Sequence, residues 1–414
     1  MNTKKALMII IDGVADRPVR ALNGKTPLEV AKTPNLDRVV KNGICGLLDS
    51  LGPGKKGGSD TSIMAILGYN PYKIYTGRGP IEVAGVGIKL RKGDVSLRCN
   101  YSTVDENMTI LNRTADYVRK GTDKLEKVLN EQISLSNSDI KFQFRNSADY
   151  RCVFHLRGDG LSANITDADP YHEGEKVLEV KPLDGSSEAK KTANLVNEFI
   201  KKSYEVLNNH PVNLKRKKEG KPPANIIVPR GAGETPEMED FYQKWKLKGA
   251  CIAGIGLIKG LGYLSGMEVI NVKGATGFID TDYLAKAKAA LKALETNDFV
   301  VLHIEGTDEV SHDKKYKEKI EAIEKTDNMV GYLIKNLSNK VILTILSDHT
   351  TSCDYGDHTA DPTPIVIWGE GLFADDVDIF TERAMAKGMI RRITGRDIIP
   401  ILLDAMNRSE KFGA

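Results

Sequence analysis

The chain has 414 residues, of which 41% are hydrophobic and 28% are charged, and this composition is typical of a globular enzyme rather than of a disordered chain. Its length is too great for one ordinary hydrophobic core and indicates two or three domains. The net charge of +3 gives no support for nucleic-acid binding, which needs a clustered basic excess, but it leaves room for a local basic pocket around a small anion.

Apolar runs alternate with helical patterns in the outer parts of the chain. The predicted strands are residues 6–11, 299–304, 341–346 and 364–368, and the predicted helices are residues 282–295, 313–337 and 396–406. Continuous apolar runs rich in β-branched residues are typical of strands that are buried on both faces of a parallel sheet. The alternation therefore predicts an α/β fold with a mainly parallel sheet sandwiched by helices.

The middle of the chain contains shorter and more mixed segments. We predict that residues 95–235 form a smaller α+β domain, inserted into an α/β domain made of residues 1–94 and 236–414. The stretch 211–223 is rich in lysine and proline, which favours an exposed loop. Its basic run Lys215–Lys218 is interpreted as part of that solvated loop.

The first apolar run and the cysteines indicate where the protein resides. Residues 6–11 are too few to span a membrane, and no signal-peptide cleavage site follows them. The five cysteines are scattered and odd in number, without a CxxC pair, so reduced thiols are expected. We therefore expect a cytoplasmic protein without a membrane or nucleic-acid partner.

Acidic residues and histidines follow three of the predicted strands. They are Asp12 after the first strand, Asp308 and His312 after the second, and Asp348, His349 and His358 after the third. Each residue alone could be a cap or turn residue. Because the carboxyl ends of parallel strands meet at one edge of a sheet, the set together predicts a divalent-metal site. The other histidines lack this context: His303 lies within a strand as a core residue, and His155, His172 and His210 are expected to be structural or exposed.

A candidate nucleophile lies in the glycine-rich segment GPGKKGGSDTS at residues 52–62. The apolar run that follows has helical spacing, so Ser59 is predicted near a helix N-terminus, where backbone N–H groups and the helix dipole stabilise anions. The alternative is that Ser59 or Asp60 only caps the helix. The segment lacks the GK[ST] ending of a nucleotide-binding P-loop, so that motif is excluded.

These motifs occur in the order of one known family, and the chain resembles the archaeal-type phosphoglycerate mutases that need no bisphosphoglycerate cofactor. The matching segments are IIIDG ending near Asp12, GGSDTS and LGYNP around Ser59, YTGRGP at 75–80, KGACIAGIGLIKG at 248–260, KGATGFIDTDY at 273–283, Asp308-x-x-x-His312, SDH at 347–349 and His358. The DxxxH and DH…H arrangement also marks the wider alkaline phosphatase superfamily. The likeness extends over nearly the whole chain.

The resemblance implies a site with two divalent metal ions, of manganese, magnesium, zinc or cobalt, and no 2,3-bisphosphoglycerate. One ion would be bound by Asp12, Ser59, Asp348 and His349, and the other by Asp308, His312 and His358. Matching stretches also imply a substrate clamp, formed by Arg78, Arg98, Arg113, Arg145, Arg151, Arg230 and Lys248. Any one of these cations could instead be a solvated surface residue.

The implied reaction interconverts 3-phosphoglycerate and 2-phosphoglycerate, in glycolysis and gluconeogenesis, through a phosphoserine at Ser59. The inserted domain and its arginines would hold the substrate's carboxylate and exclude water, which favours a mutase over a phosphatase. Three alternatives stay open at this point: a homoserine-kinase-like phosphotransferase, a phosphatase or phosphonate hydrolase on the same scaffold, and a degenerate metal-binding scaffold without activity. A homo-oligomer is possible.

Overall fold

The structure, a computed structural model, describes residues 4–411 and 413. It divides into two units, one formed by the segments Met1–Ile74 and Met238–Ala414 and the other by Tyr75–Glu237. None of the helices in the described part of the chain combines the length and the apolar character that a membrane crossing requires.

The regular elements are numbered in chain order. The strands are β1 Lys5–Ile11, β2 Gly43–Asp49, β3 Val95–Val104, β4 Ile110–Asn112, β5 Lys141–Ala148, β6 Arg151–Arg157, β7 Ile226–Glu234, β8 Gly249–Ile252, β9 Glu268–Ile270, β10 Phe299–Ile304, β11 Val341–Leu346, β12 Thr350–Ser352, β13 Asp357–Thr359, β14 Thr363–Trp368 and β15 Arg391–Thr394. The α-helices are α1 Pro27–Val30, α2 Pro34–Lys41, α3 Ser59–Ile66, α4 Pro71–Ile74, α5 Arg78–Gly85, α6 Thr122–Gln132, α7 Ser187–Asn208, α8 Pro211–Lys218, α9 Phe241–Trp245, α10 Gly256–Leu264, α11 Tyr283–Thr296, α12 Gly306–His312, α13 Tyr316–Asn336, α14 Glu382–Met385 and α15 Ile398–Ala405. Short 3₁₀ turns lie at Arg20–Leu22 and Gly395–Asp397.

The first unit is built on an eight-stranded sheet with the strand order β15-β2-β14-β11-β1-β10-β8-β9. Strand β1 lies near its centre and pairs in parallel with both β10 and β11. Only β14 runs against its neighbours, because it is antiparallel to both β11 and β2. The predicted α/β fold with a mainly parallel sheet is confirmed.

The central strands of the sheet are formed by the apolar runs, because other elements cover both faces of the sheet and exclude water from them. The strands β10 and β11 are buried along their whole length. Alternate residues of β1, such as Leu7 and Ile9, share a hydrophobic core with Leu36 of α2, Ala290 of α11 and Val330 of α13. The covered faces explain why these strands are apolar at every position rather than alternating.

The second unit is a five-stranded antiparallel sheet with helices. Its order is β4-β3-β6-β5, with β7 paired to β3. The long helix α7 is capped by Ser186, whose hydroxyl accepts a hydrogen bond from the N–H of Ala189. It packs on the sheet through Phe199, whose ring stacks on that of Phe154 at 3.9 Å between centroids.

Two sequence-based boundaries differ from the structure. The second unit begins at Tyr75 and not at residue 95, because α5 lies directly on β3 and β7 of that unit; a Cβ atom at Gly79 would be only 2.1 Å from the carbonyl oxygen of Ser96. The predicted loop at 211–223 begins with helix α8, Pro211–Lys218. Proline favours the first position of a helix as well as loops, and here His210 caps the helix ahead of Pro211.

Candidate metal centre

The acidic residues and histidines predicted at the strand ends lie together in the first unit. Strand β1 pairs in register with β10 and β11 on either side, so the chain leaves all three strands at the same edge of the sheet. Asp12 follows β1 directly, Asp308 lies in α12 after β10, and Asp348 and His349 follow β11. His358 reaches the same place from β13, which pairs with β12.

The first group of ligand atoms surrounds Nε2 of His349. This atom lies 3.2 Å from Oδ1 of Asp12 and 3.4 Å from Oδ2 of Asp348. It also lies 3.2 Å from the hydroxyl oxygen of Ser59. All four side chains are buried. Three acidic or imidazole ligands and one hydroxyl therefore face a common point.

Ser59 is the first residue of α3 and does not cap it. The cap position is taken by Gly58, which provides no side-chain hydrogen bond to the helix. The hydroxyl of Ser59 faces His349 instead. The capping alternative for Ser59 is therefore wrong, and the hydroxyl lies where the N–H groups of a helix N-terminus favour an anion.

The second group consists of Asp308, His312 and His358. The Nε2 atoms of His312 and His358 lie 3.4 and 3.5 Å from the carboxylate oxygens of Asp308 and 3.1 Å from each other. The Nδ1 atoms lie 2.9 Å from the carbonyl oxygen of Gly356 and 2.8 Å from that of Gly57. A carbonyl oxygen only accepts, so each neutral ring carries its hydrogen on Nδ1 and presents a lone pair at Nε2. Two lone pairs that face each other at this distance are suited to a shared cation.

A threonine that the sequence did not single out connects the two groups. The hydroxyl of Thr351 donates to Oδ1 of Asp308 at 2.6 Å, so it accepts from Nδ1–H of His349, which lies 3.1 Å away. This sets the tautomer of His349 and directs the Nε2 lone pair toward the first group. Thr351 is placed by the short β12–β13 hairpin, which no apolar run in the sequence indicates.

His303 and Glu305 are further residues that sequence reasoning missed. Nε2 of His303 lies 3.1 Å from Oδ2 of Asp12, and Nδ1 lies 3.5 Å from Oε2 of Glu305. Together with Asp12 they form a buried group of mutually close ligand atoms. His303 is a core residue, as predicted, but its ring also orients Asp12 from the side opposite His349.

The glycine that follows Asp12 is required by the crowding of the site. Gly13 has a φ of +58°, and a Cβ atom there would lie 2.5 Å from Oγ1 of Thr351 and 2.6 Å from Oδ1 of Asp308. A side chain at position 13 would therefore displace Thr351 and Asp308. The glycine of the IIIDG motif is therefore required by the site, as well as the aspartate that precedes it.

The electrostatics of the cluster favour a bound cation. Burial and the charge of Asp12 raise the pKa of Asp348 well above its usual value. Burial opposes protonation of His349, but Asp348 and Asp12 raise its pKa to about 10. Among the described residues, both carboxylate oxygens of Asp12 and Oδ2 of Asp348 are buried without a well-formed hydrogen bond. Such atoms are costly unless a positive charge faces them, so the residues fit metal ions.

Five of the predicted clamp cations lie in a single region of the second unit. Nε of Arg78 lies 3.0 Å and Nε of Arg98 3.8 Å from Oε1 of Glu82. Burial, and then the charges of Arg78 and Arg230, lower the pKa of Arg98 to about 9. Arg151 also lies close enough to lower the pKa of Glu82.

Asp169 pairs with two further arginines of this cluster. Its Oδ2 atom is 2.7 Å from Arg113 and 3.3 Å from Arg230, and both guanidinium groups lie over the ring of Tyr171. Four of the five arginines thus pair with Glu82 or Asp169. Arg98 is buried and the other four are half-buried, and guanidinium groups gathered in this way are suited to an anion with several oxygen atoms.

Two predicted clamp residues lie elsewhere, and their assignment is corrected. Lys248 precedes β8, whose first residue pairs with Phe299 at the start of β10. It therefore lies at the amino ends of the parallel strands, opposite to the metal-ligand cluster. Arg145 pairs with Glu126 at 2.8 Å, and its side chain is 54% exposed, so it belongs to the surface of the sheet's edge strand β5.

The first comparison with known proteins concerns the class to which the chain belongs. A family model described as type I phosphodiesterase / nucleotide pyrophosphatase matches residues 188–363. Together with the sheet and the cluster of ligand residues at its edge, this defines the class: an α/β protein that is similar, over this part of the chain, to type I phosphodiesterases.

The particular family follows from closer relatives. A family model described as 2,3-bisphosphoglycerate-independent phosphoglycerate mutase matches residues 40–213. The mutase of that name, numbered 1, from Methanocaldococcus jannaschii is 48% identical over 100% of both chains, and that of Methanothermobacter thermautotrophicus is 47% identical over 99% of this chain and 100% of its own. The chain belongs to the family of 2,3-bisphosphoglycerate-independent phosphoglycerate mutases.

Two solved structures are similar to the chain over nearly its whole length. The cofactor-independent phosphoglycerate mutase from Thermoplasma acidophilum is 31% identical, with a TM-score of 0.68 over 97% of this chain and 100% of that one. The PH0037 protein from Pyrococcus horikoshii is 38% identical, with a TM-score of 0.85 over 100% of both chains.

Proposed function

We propose that the chain interconverts 3-phosphoglycerate and 2-phosphoglycerate by passing the phosphoryl group through Ser59, as its membership of the mutase family implies. The observation that carries this proposal is the position of the Ser59 hydroxyl, 3.2 Å from Nε2 of His349 and beside carboxylate oxygens that form no hydrogen bond with the described part of the chain. The reaction is an isomerisation, so no second substrate is consumed.

The proposed ligands divide into two sets. Asp12, Asp348 and His349 would hold one divalent ion together with Ser59, and Asp308, His312 and His358 would hold the other. Bound divalent ions neutralise phosphoryl oxygens and lower the pKa of a neighbouring hydroxyl. Oxygen and imidazole ligands are compatible with manganese, magnesium, zinc and cobalt, and no 2,3-bisphosphoglycerate is needed.

The protein's own residues contribute position and charge. In the first step the Oγ atom of Ser59 attacks the phosphorus atom and loses its proton, the bond from phosphorus to the C3 oxygen of the substrate breaks, and the C3 oxygen gains a proton to become a hydroxyl. In the second step the C2 hydroxyl of the retained glycerate attacks the phosphoserine, which releases 2-phosphoglycerate and restores the hydroxyl of Ser59. The N-terminus of α3 supports both steps, because its N–H groups point toward the transferred anion.

The arginine cluster of the second unit explains why glycerate is retained. We assign Arg78, Arg98, Arg113, Arg151 and Arg230 to binding of the anionic groups of the substrate. Guanidinium groups bind carboxylate and phosphate in a planar, two-bond geometry, which holds the glycerate while its hydroxyl replaces water as the second nucleophile. In this proposal the first unit is the catalytic part and the second unit is the substrate-binding part.

We also propose that the reaction takes place in the cytoplasm. All five cysteines are free and buried, which supports a reducing compartment.

The test is turnover of 3-phosphoglycerate by protein that has been stripped with a chelator and then resupplied with one metal at a time, without bisphosphoglycerate. Activity should return only with metal. Homoserine with ATP and a generic phosphomonoester serve as comparison substrates, and faster turnover of either would contradict the proposal. The variant Ser59→Ala should lose mutase and phosphatase activity alike. The matched control is Ser62→Ala, since Ser62 lies in the same helix and contacts Ser50 at 3.1 Å rather than the cluster.

A further inference from the structure

A second basic region of the middle unit takes no part in the proposed reaction. It is a pocket of about 590 Å³ between the segment that precedes α6 and the helix α8, and this volume is within the usual range for small-molecule sites. Six cations line it: Arg119, Lys120, Lys124, Lys215, Arg216 and Lys221. The basic run in α8, interpreted from the sequence as solvated, thus contributes to a concave site.

The charge of the pocket is large for this chain. The only carboxylates in its lining are Asp116 and Glu219, so the cations exceed them by four charges. The formal net charge of the whole chain is only +3. The surplus within the pocket thus exceeds the net charge of the whole chain, and a concave surface in which one sign of charge predominates attracts counter-ions strongly.

Contacts within the protein neutralise only part of this charge. Glu219 pairs with Lys221 at 3.0 Å and with Lys215 at 3.8 Å, and Arg119 pairs with Asp149 at 2.7 Å. The side chains of Lys120 and Lys124 form no ion pair or hydrogen bond with any residue that the structure describes. Two lysines at the pocket are thus available to an anion from outside.

Arg216 has a different role, because it holds the wall of the pocket. Its guanidinium donates to the carbonyl oxygen of Ala115 at 2.7 Å and to that of Pro222 at 2.9 Å. Ala115, Asp116 and Tyr117 have φ angles of 46°, 56° and 49°, a left-handed conformation that is unfavourable for residues other than glycine. Strained backbone of this kind persists where its surroundings hold it and is concentrated at ligand sites.

The strained turn also presents an aromatic ring to the pocket. The side chain of Tyr117 is 54% exposed, and its edge-to-face contact with Tyr150, at 5.5 Å between centroids, fixes its orientation. An aromatic face beside several cations is the combination that binds a nucleobase and its phosphates.

We propose that this pocket binds an oligophosphate, and specifically a nucleoside di- or triphosphate. One phosphate group would not use the surplus of positive charge, which is three charges once Asp149 is counted beside Arg119, whereas two or three adjacent phosphates would. A nucleic acid fits less well, because it requires a basic surface longer than one pocket. None of the five arginines that the proposed function assigns to the substrate lines this pocket, so we expect its ligand and phosphoglycerate to bind at the same time.

The test is titration calorimetry of the full chain with ATP, inorganic tripolyphosphate and inorganic phosphate, at fixed ionic strength and with saturating 3-phosphoglycerate. We expect ATP and tripolyphosphate to bind, ATP more tightly because of Tyr117, and phosphate to bind at least about tenfold more weakly than either. Lys120→Gln combined with Lys124→Gln should weaken ATP binding about tenfold or more, since each change removes a charged donor that would face the phosphates.

The matched control is Lys217→Gln combined with Lys218→Gln. These lysines are exposed on the same helix as Lys215 but do not line the pocket, so the same loss of two charges should leave ATP binding nearly unchanged. Equal weakening by both double variants, displacement of ATP by 3-phosphoglycerate, or tighter binding of a short RNA than of ATP would overturn the proposal. Mutase turnover of these variants is a separate readout, so failure of this proposal leaves the proposed function standing.

Discussion

The hydroxyl of Thr351 is the most informative single group to remove from the candidate metal centre. Thr351→Val keeps the shape of the side chain but deletes the 2.6 Å hydrogen bond to Asp308 and the acceptor for Nδ1 of His349. A hydrogen bond to a charged, buried group contributes about 1.5–3 kcal/mol, which corresponds to roughly 10–100-fold in an equilibrium constant. We therefore expect metal affinity to fall by about that factor.

The assay is a chelator competition that measures the metal dissociation constant, followed by turnover of 3-phosphoglycerate as metal is increased. Thr351→Val should need more metal for half-maximal turnover and regain much of its activity at saturation. The matched control is Thr344→Val in β11, because Thr344 is fully buried and its hydroxyl has no hydrogen-bond partner among the described residues. An unchanged dissociation constant for Thr351→Val, or an equal loss in Thr344→Val, would refute the role of Thr351 in orienting the ligands.

Three further changes test other parts of the structure. Arg98→Lys should raise KM for 3-phosphoglycerate about tenfold or more because it loses the planar guanidinium, whereas Arg145→Lys, at an exposed ion pair, should leave KM unchanged in the same steady-state assay. Burial lowers the pKa of His155 to about 4. Between pH 6.5 and 4 only the unfolded chain gains this proton, so the free energy of unfolding decreases as the pH is lowered through this range. In urea unfolding, His155→Gln should therefore lose about 2 kcal/mol less than the unchanged protein between pH 7 and pH 5. Lys319→Met leaves Asp16 buried without its 2.9 Å partner and should cost about 3–5 kcal/mol in urea unfolding, while Lys317→Met on the exposed face of α13 should cost little.

The sheet and the convergence at its edge could be predicted because both depend on local patterns. A continuous apolar run must be buried on both faces, and parallel strands deliver the residues that follow them to the same edge. Asp12, Asp308, Asp348 and His349 therefore came together as expected. The sequence left Ser59 ambiguous, because a capping serine and a catalytic serine have the same local sequence. Gly58 at the cap position excludes the capping role of Ser59, and its catalytic role stays a prediction.

The residues that sequence reasoning missed or misplaced depend on contacts between distant segments. His303 is a strand residue whose partner, Asp12, lies in another strand, and Thr351 acts through a hairpin of two three-residue strands. Lys248 was misplaced because motif similarity does not tell which end of a strand a residue occupies. The second unit begins earlier than predicted because α5 packs on strands that follow it, and no composition change marks residue 75.

The central claim is that Ser59 carries the phosphoryl group during turnover. Rapid quenching of the metal-loaded protein during turnover of 3-phosphoglycerate, followed by peptide mass analysis, tests it directly. The account predicts the added mass of one phosphoryl group on the peptide that contains Ser59, lost on further incubation without substrate and absent in Ser59→Ala. Full mutase turnover with no phosphopeptide at any quench time, or undiminished turnover in Ser59→Ala, would contradict it.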